Sequence, residues 1–193
     1  MKAAENPFRS SAIAEVRYRI EEAELVGLAA RAASAPFRQC CLLGPEGSGK
    51  TTLLEDLEPY LQAVGFEPHW LSLQEDAGRK ERRRALARMK HYLETDICLL
   101  DGGEVLSWWQ WRSVLGLSRR QGFRLIVTLH RERGLPVLRK HETSWELARE
   151  LVARLAGDRH SPALEETARR ACEETGGNVR EVFRACYFHC AED

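Results

Sequence analysis

The stretch Gly44-Pro45-Glu46-Gly47-Ser48-Gly49-Lys50-Thr51 constrains this chain more than any other, because it fixes a local shape and a ligand chemistry together. It matches G-x-x-x-x-G-K-[ST] without a substitution. It follows an apolar run at 38–43 and opens a stretch of helical periodicity at 50–64, the strand-to-helix setting in which such a loop closes around phosphate. Glycines let backbone N–H groups turn inward around phosphate oxygens. Lys50 supplies a point charge to the β- and γ-phosphates, and Thr51 offers a hydroxyl to Mg²⁺. The helix that starts at the loop adds the partial positive charge of its N-terminus. The expected nucleotide-binding residues are therefore Gly44, Pro45, Glu46, Gly47, Ser48, Gly49, Lys50, Thr51 and Thr52.

Around this loop, short apolar runs at 38–43, 69–73, 96–100 and 124–129 alternate with helical periodicity at 50–64, 77–93 and 107–120. Such alternation specifies an α/β domain with a mostly parallel central sheet. A weaker run at 136–139 reads as a fifth strand near a sheet edge. From residue 144 the chain changes character, to helices at 144–156, 161–175 and 178–191 separated by Gly157-Asp158, Ser161-Pro162 and Gly176-Gly177. The N-terminal part carries Asn6-Pro7 and then an amphipathic helix expected over about 14–33. The expected organisation is a helical segment 1–35 packed on the core, an α/β nucleotide-binding core 36–143 and a small helical lid 144–193. With 193 residues the chain has the size of one ordinary domain plus an appendage.

The run Ile97-Cys98-Leu99-Leu100 ends in Asp101. A buried strand needs no acid at its end for packing, so Asp101 reads as the carboxylate that, with Thr51, holds Mg²⁺ directly or through water. Gly102 and Gly103 then precede Glu104. Two glycines permit a turn that folds Glu104 back toward the γ-phosphate to polarise an attacking water; the other reading is a solvated carboxylate capping the next helix. The run 124–129 carries Thr128 near its end and His130 just beyond. Thr128 is the expected water-orienting residue, set against ordinary strand filler.

Taken in order, these motifs resemble the AAA+ ATPases and, more loosely, the additional-strand class of P-loop NTPases. Gly177-Asn178-Val179-Arg180, at the start of a late helix, looks like the sensor 2 motif of origin-recognition-type and bacterial transposition- or secretion-associated ATPases. Asn6-Pro7-Phe8 is similar to the start of several of them. The resemblance implies strand order 5-1-4-3-2, ATP rather than GTP, and Arg180 as a γ-phosphate sensor that moves the lid. It implies ATP hydrolysis coupled to a conformational change acting on a partner protein or a homo-oligomer. The spacing of Asp101 and Glu104 departs from the family pattern, in which the base immediately follows the metal-side acid. No arginine is marked as a finger acting on a neighbour, although Arg119, Arg120, Arg131 and Arg133 are candidates. A nucleotide-dependent switch with negligible turnover and a small-molecule kinase remain as alternatives.

Lys+Arg and Asp+Glu number 29 each, so net charge is zero and a histone-like polycation is excluded. With 44% hydrophobic and 30% charged residues the composition excludes an intrinsically disordered chain. Apolar runs are too short for a bilayer, which takes about 20 residues, and the start lacks a signal peptide's apolar stretch. No membrane insertion and a cytoplasmic location are expected. The six cysteines lack C-x-x-C spacing and three lie in strand-like runs, which points to reduced thiols.

Two patches stand outside this scheme. Residues 79–90 concentrate basic side chains on one helix, which either contacts nucleic-acid phosphate or, the favoured reading, is a solvated face balanced by acids elsewhere. In Ser107-Trp108-Trp109-Gln110-Trp111-Arg112, Trp108 and Trp111 share a face as core packing asks, while Trp109 points elsewhere as rim packing or a partner anchor.

Overall fold

The computed structural model describes residues 5–15, 20–74, 76 and 78–192. It divides into two compact units, one formed by 20–44 and 50–141, the other by the described parts of 1–19 and 142–193 together with the loop 45–49.

The first unit is an α/β sheet domain. Strands β1 (Gln39–Leu43), β2 (Glu67–Ser72), β3 (Asp96–Asp101), β4 (Arg124–Leu129) and β5 (Val137–Lys140) form one sheet in the order β2-β3-β4-β1-β5, the order expected. Every pairing is parallel. Strand β4 thus lies between β1, which leads into the phosphate loop, and β3, which ends in Asp101. The three inner strands are buried almost throughout, as a parallel sheet covered on both faces requires.

The two faces follow the period-2 alternation of strand side chains. Cys40, Leu42, Ile97 and Leu99 point to helices α2 (Glu22–Ala33) and α3 (Lys50–Ala63). Cys41, Leu43, Cys98 and Leu100 point to α4 (Arg79–Met89) and α5 (Trp108–Gln121). Helix α5 starts on a capping box, in which the Ser107 hydroxyl accepts from Gln110 N and Gln110 Oε1 accepts from Ser107 N, and it ends at Gly122 in the left-handed region.

The second unit is helical. It holds the short helix α1 (Ser10–Glu15) and helices α6 (Trp145–Ala156), α7 (Pro162–Glu174) and α8 (Val179–Glu192). Helices α6 to α8 pack around Ala148, Val152, Ala168, Val182 and Cys186. Ser144 and Ser161 cap α6 and α7 by accepting from Leu147 N and Leu164 N. Phe8 belongs to this core: it is 2% exposed, with its ring centroid 6.2 Å from that of Phe183. Asn6 fixes the approach, its Nδ2 donating to Tyr187 O at 2.8 Å and its Oδ1 accepting from Phe8 N at 2.9 Å.

Two elements differ from the sequence reading. The amphipathic helix expected from about residue 14 begins at Glu22, because Glu21 is extended; residues 16–19 lie outside the described set. Strand β2 starts at Glu67, ahead of the expected 69, because it is an edge strand whose polar positions face water. Residue 77, the expected start of the next helix, also lies outside the described set, and α4 starts at Arg79. All six cysteines are buried and none is in a disulfide. Among the described residues, no helix is long and apolar enough to cross a membrane.

Candidate nucleotide site

In the sheet unit, the carboxyl ends of β1, β3 and β4 bring the expected chemistry together. The Lys50 ammonium is buried and donates to Gly44 O at 2.8 Å, across the mouth of the phosphate loop. Lys50 opens α3, so its amine stands at that helix's N-terminus. Thr51 follows on α3, and its Oγ1 lies 3.2 Å from both carboxylate oxygens of Asp101. A hydroxyl beside a half-exposed carboxylate is the hard-oxygen donor pair that Mg²⁺ takes, with water and phosphate oxygens filling its remaining positions. The residues present therefore fit the metal.

Thr128 stands between these elements at 2% exposure. Its Oγ1 donates to Asp101 Oδ1 at 2.7 Å and accepts from Gly102 N at 2.9 Å. The hydroxyl's single proton is thus spent on the metal-side carboxylate. The sheet order dictates this neighbourhood, since Leu100 is paired with Val127 and each strand's next residue is Asp101 or Thr128.

Beyond Asp101 the chain turns sharply. Gly102 has φ +83°, where a side chain is strained, and a Cβ there would run into the carbonyl oxygen of Leu73. Gly103 is buried against Val127, whose Cγ1 occupies the place of a Cβ. The 3₁₀ turn Gly103–Val105 that follows carries Glu104 back to the end of β4. There Glu104 Oε1 accepts from His130 N at 3.1 Å and lies 3.0 Å from His130 Nδ1. Glu104 Oε2 is buried with no hydrogen-bond partner among the described residues. His130 directly follows Leu129, whose carbonyl accepts from Gly44 N at 3.1 Å. The pair thus stands beside the start of the phosphate loop. Sequence reading named Glu104 but set His130 aside; the usable signal was that His130 follows the strand next to both the loop strand and the Asp101 strand.

Arg133, a candidate finger in the sequence, is committed to the fold. Its guanidinium donates to Gly103 O at 2.8 Å and Leu106 O at 3.2 Å, and lies 4.7 Å from the centre of the Trp111 ring. It clamps the turn that presents Glu104. Arg119, Arg120 and Arg131 are exposed.

In the helical unit, the loop residues 45–49 meet the start of α8. Asn178 caps that helix, its Oδ1 accepting from Arg180 N at 3.1 Å and Glu181 N at 3.4 Å. Gly47 has φ +70° and comes so close that a Cβ would collide with Asn178 Oδ1. Arg180 is 73% exposed and its Nη1 lies 3.7 Å from Glu46 Oε1. The Asn-x-Arg element therefore lies against the phosphate loop itself.

No family model and no curated protein matches the chain by sequence. Solved structures do match: two mutant forms of RuvB from Thermotoga maritima superpose with TM-scores of 0.56 and 0.57, at 18% and 17% identity, over 84% of this chain. The chain has the fold of the AAA+ ATPases. It spans 57% and 58% of the length of those two RuvB chains. PCH-2 of C. elegans gives a TM-score of 0.46 at 14% identity, over 88% of this chain and 67% of that one. Within the AAA+ fold, the narrower resemblance to origin-recognition-type and transposition- or secretion-associated ATPases rests on the residues quoted from the sequence alone.

Proposed function

We propose that the chain binds ATP with Mg²⁺ and hydrolyses it to ADP and phosphate, coupling turnover to a conformational change that acts on a protein partner or within a homo-oligomer. The observation that carries this reading is the convergence of Lys50, Thr51, Asp101 and Thr128 at the carboxyl edge of β1, β3 and β4. Lys50 neutralises β- and γ-phosphate charge, and the loop amides cradle the phosphate oxygens. Thr51 and Asp101 supply the metal-side oxygens, and Mg²⁺ when bound offsets charge on the phosphates. Thr128 fixes the Asp101 carboxylate and acts as a positioning residue.

Glu104 is the water-activating carboxylate in this reading. His130 steadies one of its oxygens and leaves Oε2 for the water. Arg180, beside the loop, senses the γ-phosphate. The site of action is the cytoplasm.

One observation favours the alternative of a switch with negligible turnover: Glu104 Oε1 is already held by the backbone N and the ring Nδ1 of His130. ADP release by the purified chain across a concentration series, with Lys50→Ala as the blank, separates the two. Turnover above the blank supports the hydrolase, and a rate per chain that rises with concentration shows a site completed by a second subunit. ATP binding without turnover above the blank supports the switch.

A further inference from the structure

The sequence places an aromatic cluster and a basic helix on separate stretches, and the sheet unit sets them side by side. Helices α4 and α5 cover the same face of the sheet: Ala85 and Met89 of α4 share a core with Leu106, Trp111 and Val114. On the flank of α4 that faces α5, Arg82 donates to Val105 O at 2.9 Å, three residues before Trp108. The outward side of α4 carries Arg79, Lys80, Arg83 and Arg84, each exposed and spaced so that 79 with 83 and 80 with 84 stand one turn apart. None of these four forms an ion pair among the described residues. In a chain of net charge zero this is a local concentration of unneutralised cations.

Beside it, the first turn of α5 presents two indoles to water. Trp108 is 55% exposed and Trp109 74% exposed, with ring centroids 4.4 Å apart and planes at 82°. Arg112 lies 5.1 Å over the Trp108 ring. The fold does not need them there. Trp111 fills the core, and the box of Ser107 and Gln110 already starts the helix. Paired indoles left in water are costly and mark a contact surface.

We propose that the α4–α5 face binds single-stranded nucleic acid, with Arg79, Lys80, Arg83 and Arg84 along the phosphates and Trp108 and Trp109 stacking on bases. Cations along a helix answer a polyanion, and exposed flat rings beside them answer unpaired bases; the combination is the one single strands require. A duplex turns its bases inward and offers the rings no face to stack on, so it binds by charge alone. An acidic polypeptide uses the cations and leaves the indoles idle. Trp108 lies four residues after Glu104, so a strand seated here touches the segment that carries the proposed base.

The test is fluorescence anisotropy of a labelled oligo-dT and oligo-U with the full chain over a salt series, with a duplex of equal length and polyglutamate as competitors. Wild type should bind both single strands, quench tryptophan emission, and resist competition by duplex or polyglutamate. Arg83→Glu with Arg84→Glu should lower the steepness of the salt dependence by about 0.7 for each phosphate no longer neutralised. Trp109→Ala should weaken binding roughly 5- to 150-fold with little change in that slope. Circular dichroism and the urea midpoint check that both variants fold; at such exposed positions they should.

Absence of binding at about 50 mM salt overturns the proposal, as does binding that Trp109→Ala leaves unchanged. Competition by polyglutamate as strong as by oligo-dT assigns the face to an acidic protein and overturns it too. Sedimentation showing that wild type self-associates, that Trp109→Ala does not, and that oligo-dT has no effect assigns the face to a second copy and equally overturns the proposal. None of these readouts requires ATP turnover, so they stand apart from the fate of the hydrolase reading.

Discussion

Thr128 Oγ1 lies 2.7 Å from Asp101 Oδ1 and 2.9 Å from Gly102 N, so one buried hydroxyl holds the metal-side carboxylate and the first amide of the turn behind it. Thr128→Val keeps the shape and removes both bonds. The expected result is a loss of about 1–3 kcal/mol from the unpaired groups it leaves, together with weaker Mg²⁺ dependence of nucleotide binding. Thr128→Ser should restore most of each. Urea unfolding and a Mg²⁺ titration with a fluorescent ATP analogue read the two effects separately.

Glu104 and His130 are coupled by geometry, so their variants should not add. Glu104→Gln should abolish most turnover while leaving ATP affinity close to wild type. His130→Ala removes the ring Nδ1 from Oε1 and leaves only the backbone N–H to hold the carboxylate; it should lower kcat by about 10–100-fold, no more than the low end of the roughly 10²–10⁴-fold that a positioned acid or base supplies, with KM little changed. The double variant should match Glu104→Gln alone. Steady-state kinetics of the four proteins decide it, and full additivity would show that the two act independently.

Gly102→Ala tests the turn. A residue other than glycine at φ +83° costs about 1–3 kcal/mol, and the carbonyl of Leu73 stands where its Cβ must go. A lower urea midpoint is expected, with turnover falling more than nucleotide affinity, because the turn carries Glu104 and not the phosphate loop.

Asn178→Ala and Arg180→Ala separate fold from sensing at one helix start. Loss of the cap should cost about 1 kcal/mol. The Arg180 side chain is 73% exposed and its contact with Glu46 is a surface pair, so its removal should change stability by less than about 1 kcal/mol. It should still narrow the preference for ATP over ADP, measured by competition binding. Equal preference in wild type and Arg180→Ala would remove Arg180 from the sensor role.

Burial pushes the thiols up, Cys40 and Cys186 to about 12 and Cys41 to about 11, from an ordinary 9.0. The unfolded chain then loses these protons above pH 9 while the folded chain keeps them, so the unfolded state gains and stability falls as pH rises from about 9 toward 12. A urea midpoint that declines over that range is expected. At pH 8 a disulfide reagent should titrate none of the six cysteines in native protein and all six in denaturant.

Much of the sheet unit was legible in the sequence, because buried parallel strands must be apolar throughout and the phosphate loop fixes where β1 ends and α3 begins. The start of β2 was not, since an edge strand shows Glu67 to solvent and loses the apolar signature there. Asp101 was readable as an acid that packing does not require. Its tie to Thr128 and the pairing of Glu104 with His130, 26 residues apart, depend on which strands are neighbours. Trp108 was expected to share the buried face of Trp111. It stands one turn ahead of the stripe Trp111, Val114 and Leu117, past the edge of the core. Arg133 stood in the sequence only as a candidate finger, because its partners are backbone carbonyls, which no pattern of residue types reveals.

Asn6 and Tyr187 are 181 residues apart in the chain and share a hydrogen bond in one core. That core is built from the first and last described segments, with residues 20–44 and 50–141 emerging between them. On the ribosome the sheet unit therefore has all its strands before α8 exists. Phe8 is synthesised before the whole sheet unit and waits for Phe183, which follows it. Completion of the helical unit waits for α8 and is an event of high contact order. Until then the Asn6-Pro7-Phe8 segment is a client for a chaperone that shields short apolar segments.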